Sequence, residues 1–394
     1  MKKYFAVLLL CVCAVLTLVS CSSDPKRVKI VYHANGEVFH TSIYTEGQRV
    51  STISEKPERD GFVFNGWYYD EGTWEYAFDP TDINRDFAVG THKLYARFEH
   101  VSFSLNEDER SYTVVGALEG LSDTLVIPST YLGKPVTAIK ENAFADIDTF
   151  TSVSIPDTVV KIGQGAFRGC DGLLTLTLPN SNDLDVGNGA FAMCKSLTTV
   201  NLGSSLKEIP GYGFEGCTAL TSVTAYAAET VLGSAFKDCT ALSEVNLPDT
   251  LKKINLRAFE GCTALTSLTL SKYVAEIGDY AFFGCTALES ITFKGNSGIK
   301  VLGNYALQGT RINTLALPSL TRIGEDAFTS SLASLSFGNQ SLLYVSARAF
   351  ASLSDSASVC FGSTVEEFHG AILVEGWSEG RIVTILCENG EILP

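Results

Sequence analysis

The sequence predicts a mainly β protein with short loops and turns: a solenoid of repeated strands, preceded by a small β-rich module. Three observations carry that prediction. Ala-Phe recurs from residue 143 onward at a nearly constant interval, apolar residues keep fixed phases within each interval, and residues 28–99 have a different, aromatic and hairpin-like texture. Hydrophobic residues make up 45% of the 394, too many for a disordered chain. That length suits two domains or one elongated one.

At the start of the chain, Lys2 and Lys3 precede an apolar stretch from Phe5 to Leu18, and hydrophobicity stops at Leu18-Val19-Ser20-Cys21. This is the pattern of a secretory signal. Its last four residues resemble the lipobox of bacterial lipoproteins, which implies a signal peptide over residues 1–20 and lipidation of Cys21. An uncleaved anchor would offer about 17 apolar residues against the roughly 20 that a spanning helix needs. Acyl chains on Cys21 contribute on the order of 0.8 kcal/mol per buried CH₂, so two or three of them hold a protein stably at a membrane. Residues 21–27 then form a tether reaching at most about 25 Å, at roughly 3.5 Å per residue, which keeps the next domain near the headgroups.

Loss of residues 1–20 removes Lys2 and Lys3 and no acids, taking the formal charge from −15 to −17. Such a chain has no overall field to attract nucleic acid or anionic lipid, and no nucleic-acid partner is expected.

In residues 28–99, Val28, Ile30 and Tyr32 alternate with polar neighbours before the turn signal Asn35-Gly36. Two further strand candidates follow, Gly61-Phe62-Val63-Phe64-Asn65-Gly66-Trp67-Tyr68 and Lys93-Leu94-Tyr95-Ala96-Arg97-Phe98. The segment from Lys56-Pro57 to Trp67-Tyr68, closed by Leu94 to Phe98, resembles the Listeria-Bacteroides repeat of internalin-type surface proteins. That resemblance implies a small β-grasp-like module acting as a spacer or binding unit in the cell envelope.

Beyond it, the repeat phenylalanines are Phe144, Phe167, Phe191, Phe214, Phe236, Phe259, Phe282, Phe328 and Phe350, with Ala306-Leu307 filling the one gap. Spacings of 21 to 25 with leucines at fixed phase are the leucine-rich repeat signature. In the unit from Ala258 to Leu270, Leu265, Leu268 and Leu270 fit a short strand, whereas Ala258, Phe259, Cys262 and Ile277 supply the other apolar positions. One such unit buries too little to offset the ordering of its own backbone, so about ten coils must stack and both ends need caps. Residues 101–136, with Tyr112-Thr113-Val114-Val115 and Thr124-Leu125-Val126-Ile127-Pro128, read as the N-terminal cap; 137–360 are the repeats. The period breaks at Phe361 to Phe368 and Val383 to Gly390, which marks a C-terminal cap over 361–394.

The unit Ile277-Gly278-Asp279-Tyr280-Ala281-Phe282-Phe283-Gly284-Cys285-Thr286-Ala287-Leu288-Glu289-Ser290-Ile291 resembles the BspA-like leucine-rich repeat family, across residues 101–394. The resemblance implies a surface adhesin that engages host matrix or cell-surface proteins. Leu307 in place of phenylalanine, and the shorter units after it, are departures expected to alter local curvature.

Candidate chemistry is sparse. Cys170, Cys194, Cys217, Cys239, Cys262 and Cys285 share one phase, but Ile147, Thr310, Ser331 and Leu353 fill it elsewhere, and Ile or Leu cannot ligate a metal. Parallel Cβ vectors on successive coils are poor geometry for disulfides, so a ladder of buried free thiols is expected. Cys360 and Cys387 lie outside the ladder, where a disulfide pinning the cap is an open alternative to free thiols. His33, His40, His92, His100 and His369 show no paired spacing, and there is no phosphate-binding loop, dinucleotide fingerprint or zinc-protease motif. No catalytic residue, cofactor or metal site is therefore assigned, and enzyme activity is a remote third reading.

Polar pairs flank the inward strand residues, among them Ser222/Thr224, Glu244/Asn246, Ser267/Thr269 and Ser290/Thr292. Strand alternation places them together on one face, expected to be concave. They serve either as a solvated sheet surface or as a ligand-binding face, and Tyr226 and Lys294, which interrupt the rows, are the foremost single candidates. The expected function is a membrane-anchored interaction protein whose partner is a host or envelope protein or glycan. The alternative is a structural envelope spacer without a specific ligand.

Overall fold

The computed structural model describes residues 26–118, 121 and 123–338, except 47, 49, 51–52, 60–61, 72–73, 75–77 and 79–86. It also describes 344–346, 348–354, 357–362, 372–373, 384–387 and 390–392. The signal segment, Cys21 and most of 363–394 lie outside the described residues. The chain divides into two units, Met1–Glu99 and His100–Pro394.

In the first unit, Asn35 and Gly36 both take positive φ, 54° and 81°, as a two-residue hairpin turn requires. They join β1 (Arg27–Ala34) to β2 (Glu37–Thr45) in antiparallel register. On its other edge β1 pairs in parallel with β4 (Gly90–Glu99), and β3 (Val63–Tyr68) adds antiparallel to β4, giving the order β2-β1-β4-β3. That mixed order is the sheet of a β-grasp-like module. Ile30, Tyr32 and Leu94 are fully buried, and the Tyr32 ring meets Trp67 edge-on at 4.9 Å. At the end of β4, buried Glu99 accepts from Asn65 Nδ2 at 2.7 Å and from Arg97 Nε at 2.6 Å. Burial raises the Glu99 pKa, and the Arg97 charge opposes that shift.

The second unit opens with a hairpin of β5 (Val101–Leu105) and β6 (Tyr112–Ala117), and β6 lies parallel to β9 (Lys134–Ile139). Between them in sequence, β7 (Thr124–Val126) joins the repeat sheet, and β8 (Thr130–Tyr131) folds back on β9. Phe103 stacks on Tyr131 at 4.0 Å, so the hairpin covers the first coil with aromatic surface.

Each following coil places one strand in each of two parallel sheets. On the first face, Ser152–Ser154, Thr175–Thr177, Thr199–Asn201, Ser222–Thr224 and Glu244–Asn246 extend from β7 as one sheet. Ser267–Ser271 and Ser290–Lys294 then form a pair, and Thr314–Leu317 begins a further sheet. The second face is built from two-residue strands, among them Glu208–Ile209, Lys253–Ile254, Glu276–Ile277 and Arg322–Ile323, within one eight-stranded sheet. Ile277, expected only as an apolar position, is the inward residue of one of these strands.

A third hydrogen-bonded ladder runs through the turns. The N–H of Phe167 donates to Ala190 O at 2.7 Å, Phe191 to Gly213 O at 3.0 Å and Phe214 to Ala235 O at 2.8 Å. This fixes the rings one coil apart, and Phe144, Phe167, Phe191, Phe214, Phe236, Phe259 and Phe282 stack in one column with centroids 5.1 to 5.7 Å apart. Leu307 interrupts the column before Phe328 and Phe350 resume it at 5.6 Å. Ahead of the ring, the chain leaves the second sheet through a left-handed residue that is often not glycine. Asn142, Tyr212, Ser234, Arg257, Tyr280, Tyr305, Asp326 and Arg348 hold φ between 44° and 57° there. Each carries roughly 1–2 kcal/mol of backbone strain, which the packed coil must offset.

Candidate functional site

Alternation along three-residue strands turns the middle residue inward and the outer two to solvent. Val200, Val223 and Leu268 are accordingly buried. Register aligns Thr175, Thr199, Ser222 and Glu244 in one outward row and Thr177, Asn201, Thr224 and Asn246 in the other. Ser267 faces Ser290 and Thr269 faces Thr292 on the separate two-stranded sheet, where the two threonine hydroxyls lie 3.0 Å apart. The candidate residues thus fall into two groups on one side of the coils, divided by the break in pairing after Glu244–Asn246.

The two single candidates differ in kind. Lys294 Nζ is already engaged by Asp249 Oδ1 at 2.6 Å, in a bridge across two coils. Both partners are at least half exposed, so the pair contributes about 0–1 kcal/mol and chiefly neutralises the lysine. Tyr226 is 58% exposed, and its ring meets no other ring or cation among the described residues. It borders a cleft of about 240 Å³ with Thr177, Leu178, Asn180, Asn201, Gly203 and Ser204.

This cleft has a local cause. Two residues beyond the outer strand position the coils carry Pro179, Gly203, Tyr226 and Pro248 in turn, so glycine stands one coil away from tyrosine. Gly203 has φ +67°, and an added Cβ would meet Pro179 O at 3.0 Å and Leu178 O at 3.2 Å. Gly203 and Tyr226 line the same cleft, and the glycine puts no side chain into it. Asn180 and Ser204 escape a reading of strand positions because they lie in the turn; comparing coils at the Gly203 phase is the signal that finds them.

On the second face and its turns some charged and aromatic groups meet each other. Lys253 Nζ pairs with Glu276 Oε2 at 2.9 Å, Arg257 lies over the Tyr280 ring at 5.1 Å, and Tyr280 stacks on Tyr305 at 4.9 Å. On the first face Thr269 bonds Thr292 and Asn246 Nδ2 donates to Glu244 Oε1 at 2.9 Å, while Tyr226 stands exposed.

Residues 137–266 and 254–373 match the BspA type leucine-rich repeat region, in six copies, and together span more than half of the sequence. The chain belongs to the BspA-type leucine-rich repeat family. Residues 29–97 match the Listeria-Bacteroides repeat domain. A leucine-rich repeat protein from Bacteroides ovatus is similar at 25% identity, over 74% of this chain and 78% of its own, with a TM-score of 0.56. The T. pallidum leucine-rich repeat protein is 26% identical over 53% of this chain and 86% of its own, with a TM-score of 0.39. A leucine-rich cell surface protein from Faecalibacterium prausnitzii is 21% identical over 67% and 69%, with a TM-score of 0.36. No curated protein matches the sequence. Both repeat types are typical of bacterial surface proteins, and leucine-rich repeat proteins are typically non-enzymatic scaffolds for protein interaction.

Within the BspA-type coils the cysteine phase has a structural role. Each thiol donates to the carbonyl of the phenylalanine one coil earlier: Cys170 to Phe144 O at 3.1 Å, Cys194 to Phe167 O at 3.1 Å and Cys217 to Phe191 O at 3.2 Å. Cys239, Cys262 and Cys285 repeat the contact at 3.0 to 3.1 Å with Phe214, Phe236 and Phe259. All six are free and fully buried. Burial raises the pKa of Cys170, Cys239 and Cys262 and pushes Cys285 up to about 12; at Cys194 the thiol contact with Cys217 leads and burial follows. No group of three or more His, Cys, Asp or Glu among the described residues is placed to hold a metal.

Cys360 is a free, exposed thiol whose register partner is Leu386, whereas Cys387 aligns with Phe361. The ladder thiols should therefore stay unmodified by an aromatic disulfide reagent at pH 8 and react fully in denaturant, while Cys360 reacts in the folded protein. Stoichiometric modification of the ladder without denaturant would contradict this packing.

Proposed function

We propose that the protein is a lipid-anchored cell-envelope lipoprotein that binds a macromolecule through the first face of its solenoid. The carrying observation is the exposed Tyr226 beside an uncharged cleft on that face, within rows of outward hydroxyls and amides held in register from coil to coil. In this reading Ser222, Thr224, Glu244, Asn246, Ser267, Thr269, Ser290 and Thr292 form the contact surface and Tyr226 its anchor, since exposed aromatics supply more binding energy than serines. Lys294 contributes when a partner's acid displaces Asp249. The partner is a host or envelope protein or glycan.

Residues 1–20 are the secretion signal, Cys21 takes the lipid, 21–27 are the tether and 28–99 the module nearest the membrane. Residues 101–136 and 361–394 cap the repeats of 137–360. The sequence pattern Leu18-Val19-Ser20-Cys21 supports the anchor. Its test is metabolic labelling with a radiolabelled fatty acid, combined with protease treatment of intact cells. Wild type should carry label and lose its solenoid to the protease, and Cys21→Ser should lose the label and leave the membrane fraction. Unlabelled wild-type protein would end the lipoprotein reading.

The short tether favours a second reading, a structural envelope spacer. Degradation only in broken cells would support that alternative over the adhesin.

A further inference from the structure

We infer that the cleft beside Tyr226 is a subsite for one neutral pyranose ring of a glycan, an assignment that rests on the first face being the binding surface. Shape, charge and hydrogen-bond polarity each point to this class. The volume of about 240 Å³ lies below the roughly 300–1,000 Å³ of drug-sized pockets, so it admits a single ring. An aromatic ring with an open face beside a small cleft is what the C–H-rich face of a pyranose packs against, and Gly203, which also lines the cleft, puts no side chain into it.

The lining is uncharged. Thr177, Leu178, Asn180, Asn201, Gly203, Ser204 and Tyr226 include no acid or base that ionises near neutrality, and the chain as a whole carries −15. An anionic sugar or a phosphate would meet repulsion with no compensating cation, whereas a neutral polyol meets none.

The amides are pre-oriented. Asn180 Oδ1 accepts from the Ser204 N–H and from its hydroxyl, both at 2.8 Å, and Asn201 Oδ1 accepts from the Gly203 N–H at 3.0 Å. With each oxygen held by the chain, both Nδ2 groups are left as donors, and neither has a partner among the described residues. Two fixed donors, the Thr177 hydroxyl and an aromatic platform match the acceptor oxygens and apolar face of a sugar. Fixing these groups beforehand lowers the ordering cost of binding.

The test is saturation-transfer NMR on the full chain with the methyl pyranosides of glucose, galactose, mannose and N-acetylglucosamine, and with methyl glucuronide as the charged comparator. Saturation should reach the ring C–H protons of at least one neutral pyranoside. It should fall about tenfold or more in Tyr226→Ala, survive in Tyr226→Phe, and vanish in Thr177→Arg, which fills the cleft from an exposed position. Absence of transfer to every neutral sugar, transfer unchanged in Tyr226→Ala, or strongest transfer to the glucuronide would each overturn the assignment. Should the sugars fail while Tyr226→Ala still weakens a protein complex, only the ligand class is wrong and the binding face stands.

Discussion

Replacing Phe236 by alanine is expected to lower the stability of the repeat unit by about 3–5 kcal/mol, the range for deleting a buried aromatic from a core that cannot collapse around the loss. The ring is fully buried and stacks on Phe214 at 5.5 Å and on Phe259 at 5.3 Å, so the deletion opens two coil interfaces at once. Relaxation is restricted because its N–H is tied to Ala258 O at 2.8 Å and its carbonyl accepts the Cys262 thiol at 3.1 Å. Phe236→Leu should cost far less, since Leu307 occupies the same phase in this chain and is 1% exposed. Urea unfolding followed by circular dichroism measures both. Equal midpoints for the alanine and leucine variants would show that the column does not hold the coils together. Because coils couple chiefly to their neighbours, a second transition in Phe236→Ala is an expected form of the loss.

Gly303→Ala should have the second-largest effect, about 1–3 kcal/mol or more, through overpacking rather than a cavity. A Cβ at this position would stand 2.4 Å from the Asp279 nitrogen and 2.5 Å from both the Gly278 carbonyl carbon and Asp279 Oδ1. Backbone cannot swing aside as a long side chain can. The contact lies within a chain of hydrogen bonds between coils, in which Asp279 Oδ1 accepts the Asn304 N–H at 2.8 Å and Asn304 Oδ1 accepts the Glu325 N–H at 2.7 Å. Alanine at Gly284, which has open space around its Cβ but φ +72°, separates crowding from backbone strain. The same urea titration decides the matter: a Gly303→Ala midpoint equal to wild type would mean that adjacent coils separate at no cost.

Much of this architecture is legible in the sequence because stacking forces each phase to repeat. Phe144 to Phe350 announce the column, the Cys170 to Cys285 phase reads as core because Ile147 and Leu353 share it, and Asn35-Gly36 announces the first hairpin. The second sheet is harder to read. A strand such as Glu276–Ile277 has one inward and one outward residue and so no alternation to detect; it is defined by its neighbours in the stack. The outward pairs of the first sheet are visible by the alternation that the second sheet lacks, yet which of them matter is set by turn geometry. Gly203 next to Tyr226, and the amide oxygens of Asn180 and Asn201 turned onto backbone donors, become meaningful only once successive coils are superposed. Lys294 shows the converse: it stands out in the sequence, but Asp249, two coils away, meets it.

The proposal that the first face binds is tested most directly by surface plasmon resonance. The full chain is immobilised and probed with a panel of extracellular-matrix proteins and glycans, with variants on each face. Ser222→Lys and Thr269→Lys put bulk and charge on the first face, and Lys253→Ala with Glu276→Ala removes the exposed ion pair of the second. A partner's affinity is expected to drop about tenfold or more with the first pair of substitutions and to hold with the second. Binding that survives on the first face and fails on the second would contradict the proposal.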